Sequence, residues 1–174
     1  MGMEEVLIRS VEATDLPEVK RLNDLAFGGL DEGRLVELLH ARGKAVISLA
    51  AVFREKIIGH ILFSPVDFRP PHPKIRAIGL APLAVLPEYQ NQGIGSQLVR
   101  QGLAACQAGG WQVVIVLGHT AFYPRFGFRP ASELGLDNEY AAGEAFMALE
   151  LAPHILDGIH SMACYADEFK EIGV

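Results

Sequence analysis

The stretch from Ile75 to Leu103 constrains this chain more than any other. An apolar run, Leu80-Ala81-Pro82-Leu83-Ala84-Val85-Leu86, ends at Pro87, a polar turn follows, and a helical pattern opens near Gly93. A second apolar run, Trp111 to Leu117, follows the helix and is hydrophobic enough for a strand covered on both faces. Strand, helix and strand in this order make a crossover, the connection that parallel strands require. At the turn, Gly93 and Gly95 carry no Cβ, so another group can approach the backbone closely. The N–H groups of the helix's first turn point into that space with the positive dipole end behind them. Such a turn can cradle a phosphate; without a ligand it is an ordinary glycine-rich entry into a helix. Gln90, Asn91, Gln92 and Ser96 around it are neutral hydrogen-bonders that would not repel an anion.

Two familiar phosphate motifs fail here. The dinucleotide fingerprint needs a third small residue where Leu98 stands, and no Gly-Lys-Ser/Thr follows as a Walker A loop needs. Gln90-Asn91-Gln92-Gly93-Ile94-Gly95 instead resembles motif A, Q/R-x-x-G-x-G/A, of the GNAT superfamily of acyl-CoA-dependent N-acyltransferases. The proline-bearing strand before it and the aromatic block Ala121 to Phe128 after it strengthen the resemblance, which spans roughly Leu7 to Leu151.

The chain has 174 residues, half of them apolar, which suits one domain with a sizeable core and argues against disorder. With 15 Lys and Arg against 21 Asp and Glu, the formal charge is −6 and no basic nucleic-acid footprint exists. Cys106 and Cys164 lack metal or redox spacing and read as reduced thiols. The first residues, Met1 to Val6, lack a signal peptide's regions, and Val6 stands where N-myristoylation after Gly2 needs Ser or Thr. No apolar run approaches the ~18–20 residues of a membrane span. The expectation is a cytoplasmic protein with no membrane and no nucleic-acid partner.

Along the chain, Val6-Leu7-Ile8 reads as a strand. A helix from Asp15, capped by Thr14 and carrying Pro17, buries Leu16, Val19, Leu22 and Leu25 or Ala26. A second helix, Asp31 to Arg42, turns Leu35, Leu38 and Leu39 inward and stops at Gly43. Ala45–Phe53 and Lys56–Phe63 read as a hairpin around Arg54-Glu55-Lys56, and Arg69 to Lys74 as a proline-rich loop. Then come the central strand, the motif helix from Gly93 to Ala108, the strand Trp111–Leu117 and a short helix from Thr120 to Phe126. An extended piece at Phe128-Arg129-Pro130 and a last strand, Ala145–Leu151, complete the pattern. The tail from Asp157 is partly helical and either covers the domain or reaches a partner. The order β-α-α-β-β-β-α-β-α-β-β implies an α/β fold with a mixed sheet of about six to seven strands flanked by helices. One domain over 1–174 is expected, with its core at 7–151 and an extension at 152–174.

In the GNAT fold the resemblance implies a central strand that splays from its neighbour, with the pantetheine arm pairing to its backbone. Pro82 fits such a site, since proline cannot donate to a ladder, although a bend without ligand explains it equally. Leu83 and Val85 would pair with the arm, and the Leu83 N–H would polarise the thioester carbonyl. Gln90, Gln92, Gly93, Ile94, Gly95 and Ser96 would hold the acetyl-CoA pyrophosphate. Tyr123 would protonate the departing thiolate, a role that suits a phenol of reference pKa about 10; the alternative is plain packing among Phe122, Phe126 and Phe128. The base stays open between His119, Asp67, Glu88, His60 and a chain of waters. Arg125 or Arg100 would meet the 3′-phosphate, or be surface charges.

The six histidines are scattered without metal-ligand spacing, and no Gly-x-Ser-x-Gly elbow exists. The expected activity is transfer of an acetyl group from acetyl-CoA to a primary amine by direct attack in a ternary complex. The rival is a non-catalytic acyl-CoA-binding sensor or interaction module. The acceptor, a small molecule or a protein amine, would be framed by the first two helices, the Pro70–Lys74 loop and residues 131–144. Homodimer formation is common among such relatives.

Overall fold

The computed structural model describes residues 5–174. The readings on a signal peptide and on Gly2 rest on Met1 to Glu4, outside the described residues. The chain divides into two compact units, one built from the residues up to Phe63 with Pro82–Ala105 and Asp167–Val174, the other from Ser64–Ala81 and Cys106–Ala166.

In the first unit β1 (Leu7–Ser10) runs antiparallel to β2 (Ile47–Phe53), which pairs antiparallel with β3 (Lys56–Arg69) from Phe53↔Lys56 to Ile47↔Phe63. The hairpin turn is Arg54-Glu55, with φ of 49° and 66°. Positive φ at both central residues is what a type I′ turn demands, one of the two turns whose twist matches that of the flanking strands. Helices α1 (Leu16–Phe27), α2 (Asp31–Ala41), most of α3 (Ile94–Ala108) and α4 (Asp167–Ile172) belong to this unit.

The boundaries differ from expectation in informative ways. Thr14 does not cap α1: it lies in a 3₁₀ turn, Ala13–Asp15, where the Asp15 carboxylate accepts from the Glu12 N–H at 2.7 Å and pairs with Arg9. Leu25 is exposed, and the inward position of that helix is taken by Asn23, whose side-chain nitrogen meets the Val19 carbonyl at 2.9 Å and His60 Nδ1 at 3.2 Å while its amide oxygen is buried without a partner. On α2, Leu35, Val36 and Leu39 are buried while Leu38 is only half so.

In the second unit the first part of β4 (Ala77–Val85), Ala77–Leu80, pairs in parallel with β5 (Val113–Leu117), as the crossover requires. Strand β8 (Phe146–Glu150) runs antiparallel to β5, and β6 (Arg129–Pro130) antiparallel to β8. Two short strands went unread. Strand β9 (Ser161–Cys164) pairs with β3 at Asp67–Arg69 and in parallel with β7 (Leu136–Asn138). Nine strands are thus present among the described residues, where about six to seven were expected. The expected helix from Thr120 is a single 3₁₀ turn, Tyr123–Phe126, without a side-chain cap. In the tail, Ser161, Ala163, Cys164, Tyr165 and Phe169 are buried. No helix among the described residues is long and apolar enough to cross a membrane.

Candidate active site

The β4–β5 ladder runs for four pairs, Ala77↔Val113 to Leu80↔Val116, and stops two residues before Pro82. Strand β4 continues to Val85 beyond that last rung. Pro82 is buried, whereas Leu83 and Val85 are half-exposed, so their backbone lies near the surface of the first unit. The Leu86 N–H donates to the Ile58 carbonyl at 2.9 Å, tying the end of β4 to β3.

The turn after it is braced from several sides. Pro87–Tyr89 forms a 3₁₀ turn, the Tyr89 ring meets Phe53 edge-on at 6.1 Å, and Lys56 lies over the same ring. The Gln90 side-chain amide donates to the Val85 carbonyl at 3.0 Å, and that of Gln92 to the Glu88 carbonyl at 3.3 Å. Both glutamines thus fold back onto the turn and shape it. Asn91 (φ 61°) and Gly93 (φ 84°) reverse the backbone just before α3. Helical hydrogen bonding begins with the Gln97 N–H on the Gly93 carbonyl, so the preceding amides of the helix entry have no intrahelical acceptor. Gly93 is exposed and Gly95 and Ser96 half so. Concave backbone N–H groups at a dipole's positive end form an anion cradle. Leu83, Val85, Gln90, Gln92, Gly93, Ile94, Gly95 and Ser96 all fall within the first unit.

Tyr123 belongs to the second unit. Its ring is 7 % exposed, lies edge-on to Phe122 at 5.0 Å and Phe128 at 5.7 Å, and rests on the backbone of Gly118. A Cβ on Gly118 would stand 2.4 Å from its Cε2, so only glycine fits beneath it. Burial pushes the phenol up to about 12, which keeps the proton on the oxygen throughout the neutral range.

The candidate bases separate sharply. His60 is fully enclosed, with Nε2 2.9 Å from the Ser48 hydroxyl and Nδ1 3.2 Å from the Asn23 amide. Burial, aided by His40, pushes its pKa down to about 3. A neutral, walled-in imidazole cannot reach a substrate ammonium, and His60 is struck from the candidates. His119 is exposed at the end of β5, where its carbonyl accepts from the Phe122 and Tyr123 N–H groups. Glu88 is exposed, 3.7 Å from Lys56. Asp67 stands in the wall of a cavity of about 320 Å³ in the second unit, with Phe68, His72 and Ile75. Arg125 stacks on Phe122 at 4.6 Å and donates to its carbonyl. Cys106 and Cys164 are buried free thiols, with Cys106 pushed up to about 12 by burial. Among the described residues, no cluster of three His, Cys, Asp or Glu is placed to hold a metal.

Comparison with known proteins gives a consistent result. A family profile described as acetyltransferase (GNAT) domain matches residues 7–131. The chain is 34 % identical over 167 residues to the uncharacterized N-acetyltransferase YhbS of Escherichia coli K12, covering 95 % of this chain and 99 % of that one. It is 36 % identical over 140 residues to the uncharacterized N-acetyltransferase YjhQ of the same organism, covering 79 % and 77 %. The crystal structure of YhbS from Escherichia coli in complex with CoA superposes with a TM-score of 0.90 at 33 % identity, over 95 % and 92 % of the two chains. A GNAT-family acetyltransferase from Brucella melitensis in complex with acetyl-CoA follows at 0.79 and 30 %, over 94 % and 97 %.

Proposed function

The chain belongs to the GNAT acetyltransferase family, and on that premise we propose that it transfers an acetyl group from acetyl-CoA to a primary amine by direct attack. The amine, its ammonium proton already given up to water, bonds through nitrogen to the thioester carbon; the carbonyl becomes an oxyanion, the nitrogen passes its extra proton to water, and collapse breaks the C–S bond. The pyrophosphate sits on the amides from Gln92 to Ser96, with Gly93 leaving room for it. Leu83 and Val85 pair with the pantetheine arm, and the Leu83 N–H stabilises the oxyanion. Tyr123 gives its proton to the departing thiolate; a phenol held at about 12 is protonated before the step and is replenished from water after it.

The observation that carries this reading is the backbone at Gly93, with φ of 84° directly before α3 and helix-entry amides free of helical acceptors, a geometry suited to an anion. Two structural relatives with bound CoA or acetyl-CoA support it. Relatives named as N-acetyltransferases weigh against the non-catalytic module.

Thermal unfolding with excess acetyl-CoA tests the donor site. At a hundredfold excess over Kd, binding adds about 2.7 kcal/mol, a rise of roughly 5–10 °C for a chain of this size. A rise with acetyl-CoA and none with NAD or ATP supports the reading. No rise at saturation removes it, and CoA thiol release that depends on an added amine then separates transfer from mere binding.

A further inference from the structure

Tyr165 lies outside the span of the family match, yet its hydroxyl reaches Leu80, which forms the last rung of the β4–β5 ladder with Val116. It is 6 % exposed, and its hydroxyl donates to the Leu80 carbonyl at 3.3 Å. The Leu117 backbone N–H faces the same hydroxyl, where it partly offsets the rise in pKa that burial causes. That direction follows from the register: the Gly118 N–H donates to Ala145 on the β8 side, so the preceding amide faces β4. The Tyr165 ring fits because position 79 is glycine; a Cβ there would stand 2.6 Å from its Cε1. Consecutive residues at the end of β5 therefore seat two phenols. Leu117 meets the Tyr165 hydroxyl, and Gly118 carries the Tyr123 ring. Each phenol is buried; burial raises the Tyr165 pKa most, and Tyr123 adds to the rise.

We propose that Tyr165 is a positioning residue for the transfer step: its hydroxyl closes the last rung at Leu80 and Leu117 and so fixes the end of β5 on which Tyr123 rests. The inference depends on the proton-donor role given to Tyr123 above. Tyr165 itself touches no reacting atom in this scheme. It acts through Leu117 and Gly118.

The test combines a spectroscopic arm and a kinetic one. With 3-fluorotyrosine at position 123, the ¹⁹F resonance moves or broadens when Tyr165→Phe removes the hydroxyl and keeps the ring; an unmoved resonance overturns the inference. This arm needs neither donor nor acceptor, so it stands apart from the fate of the acetyl-CoA reading. In the kinetic arm, CoA release is followed with acetyl-CoA and n-propylamine as the acceptor probe. Tyr165→Phe lowers kcat about tenfold with acetyl-CoA affinity unchanged. The double variant with Tyr123→Phe is no slower than Tyr123→Phe alone, because residues acting as one unit are not additive. Losses that multiply, or a Tyr165→Phe variant with wild-type kcat, overturn it. If Tyr123→Phe itself keeps full turnover, the donor role falls and takes this inference with it. Should Tyr165→Phe not fold, 4-aminophenylalanine at 165 keeps a donor for Leu80. Its ¹⁹F spectrum matches wild type, and a displaced signal refutes the proposal.

Discussion

The buried carboxylate of Glu168, 2 % exposed, lies 2.8 Å from the ammonium of Lys44 and 3.2 Å from the guanidinium of Arg42. Burial alone would raise its pKa, but hydrogen bonds from Lys44 and Arg42 outweigh that and hold it below the usual carboxylate value. A lowered folded-state pKa means stability that is present above the unfolded value and lost as pH falls through the folded one. Glu168→Gln should cost about 1–2 kcal/mol at neutral pH, since both cations keep partial access to water. Urea unfolding at pH 7 and below pH 4.5 checks it, with the difference between variant and wild type shrinking in acid.

His60 imposes a second acid sensitivity in a different window. Its folded pKa of about 3 lies below the unfolded value near 6.5, so the unfolded chain binds more protons between the two. Stability should fall as pH drops from about 6.5, by up to ~1.4 kcal/mol per pH unit for this one group. A His60→Gln variant, less stable at pH 7, should show a flatter profile between pH 6.5 and 4.5. An unchanged slope would show that His60 does not govern it.

Gly93→Asp places a side chain and a negative charge in the cradle, at a φ of 84° that L residues rarely adopt. The expected apo destabilisation is about 1–2 kcal/mol. The larger effect is on the ligand: the acetyl-CoA-dependent rise in unfolding temperature should vanish. Retained binding by a folded variant would move the pyrophosphate elsewhere.

Tyr123→Phe leaves the ring and its contacts with Phe122 and Phe128 in place and removes only the hydroxyl. Acetyl-CoA affinity should be unchanged while kcat falls by about 10²–10⁴, the range of general acid catalysis. Since burial holds the phenol at about 12, no alkaline loss of activity below pH 10 should trace to it. Steady-state kinetics over pH 6–10 read both.

The crossover at Ala77–Leu117 was legible because apolar runs, a helical period and two glycines sit in one short window, and each signal is local. Strand β3 runs on through Ser64-Pro65 to Arg69, where a proline after a serine looked like an end. Strands β7 and β9 are three and four residues long, and neither carries an alternating pattern. Their existence depends on pairing with each other and with β3, which no window of sequence contains. The sequence carries no signal for the buried Asn23, because its bonds to His60 and to the Val19 carbonyl exist only once the chain has folded. Tyr165 was silent for the same reason: a single tyrosine with no motif around it gains its meaning from Leu80 and Leu117. The glycine-rich entry into α3 is legible as a motif, but the glutamines that flank it are not legible as braces.

The pairing of β9 with β3 also sets a schedule for the nascent chain. Asp67–Arg69 leaves the ribosome roughly ninety residues before its partner, Met162–Cys164, has been made. At ~5–20 residues per second that is a wait of about 5–20 s with a strand edge unpaired. Charges at Asp67 and Arg69 and the prolines that follow are what such an edge needs to resist pairing with a neighbour on the same message. A pause late in translation would lengthen the time for which this edge depends on those charges and prolines alone.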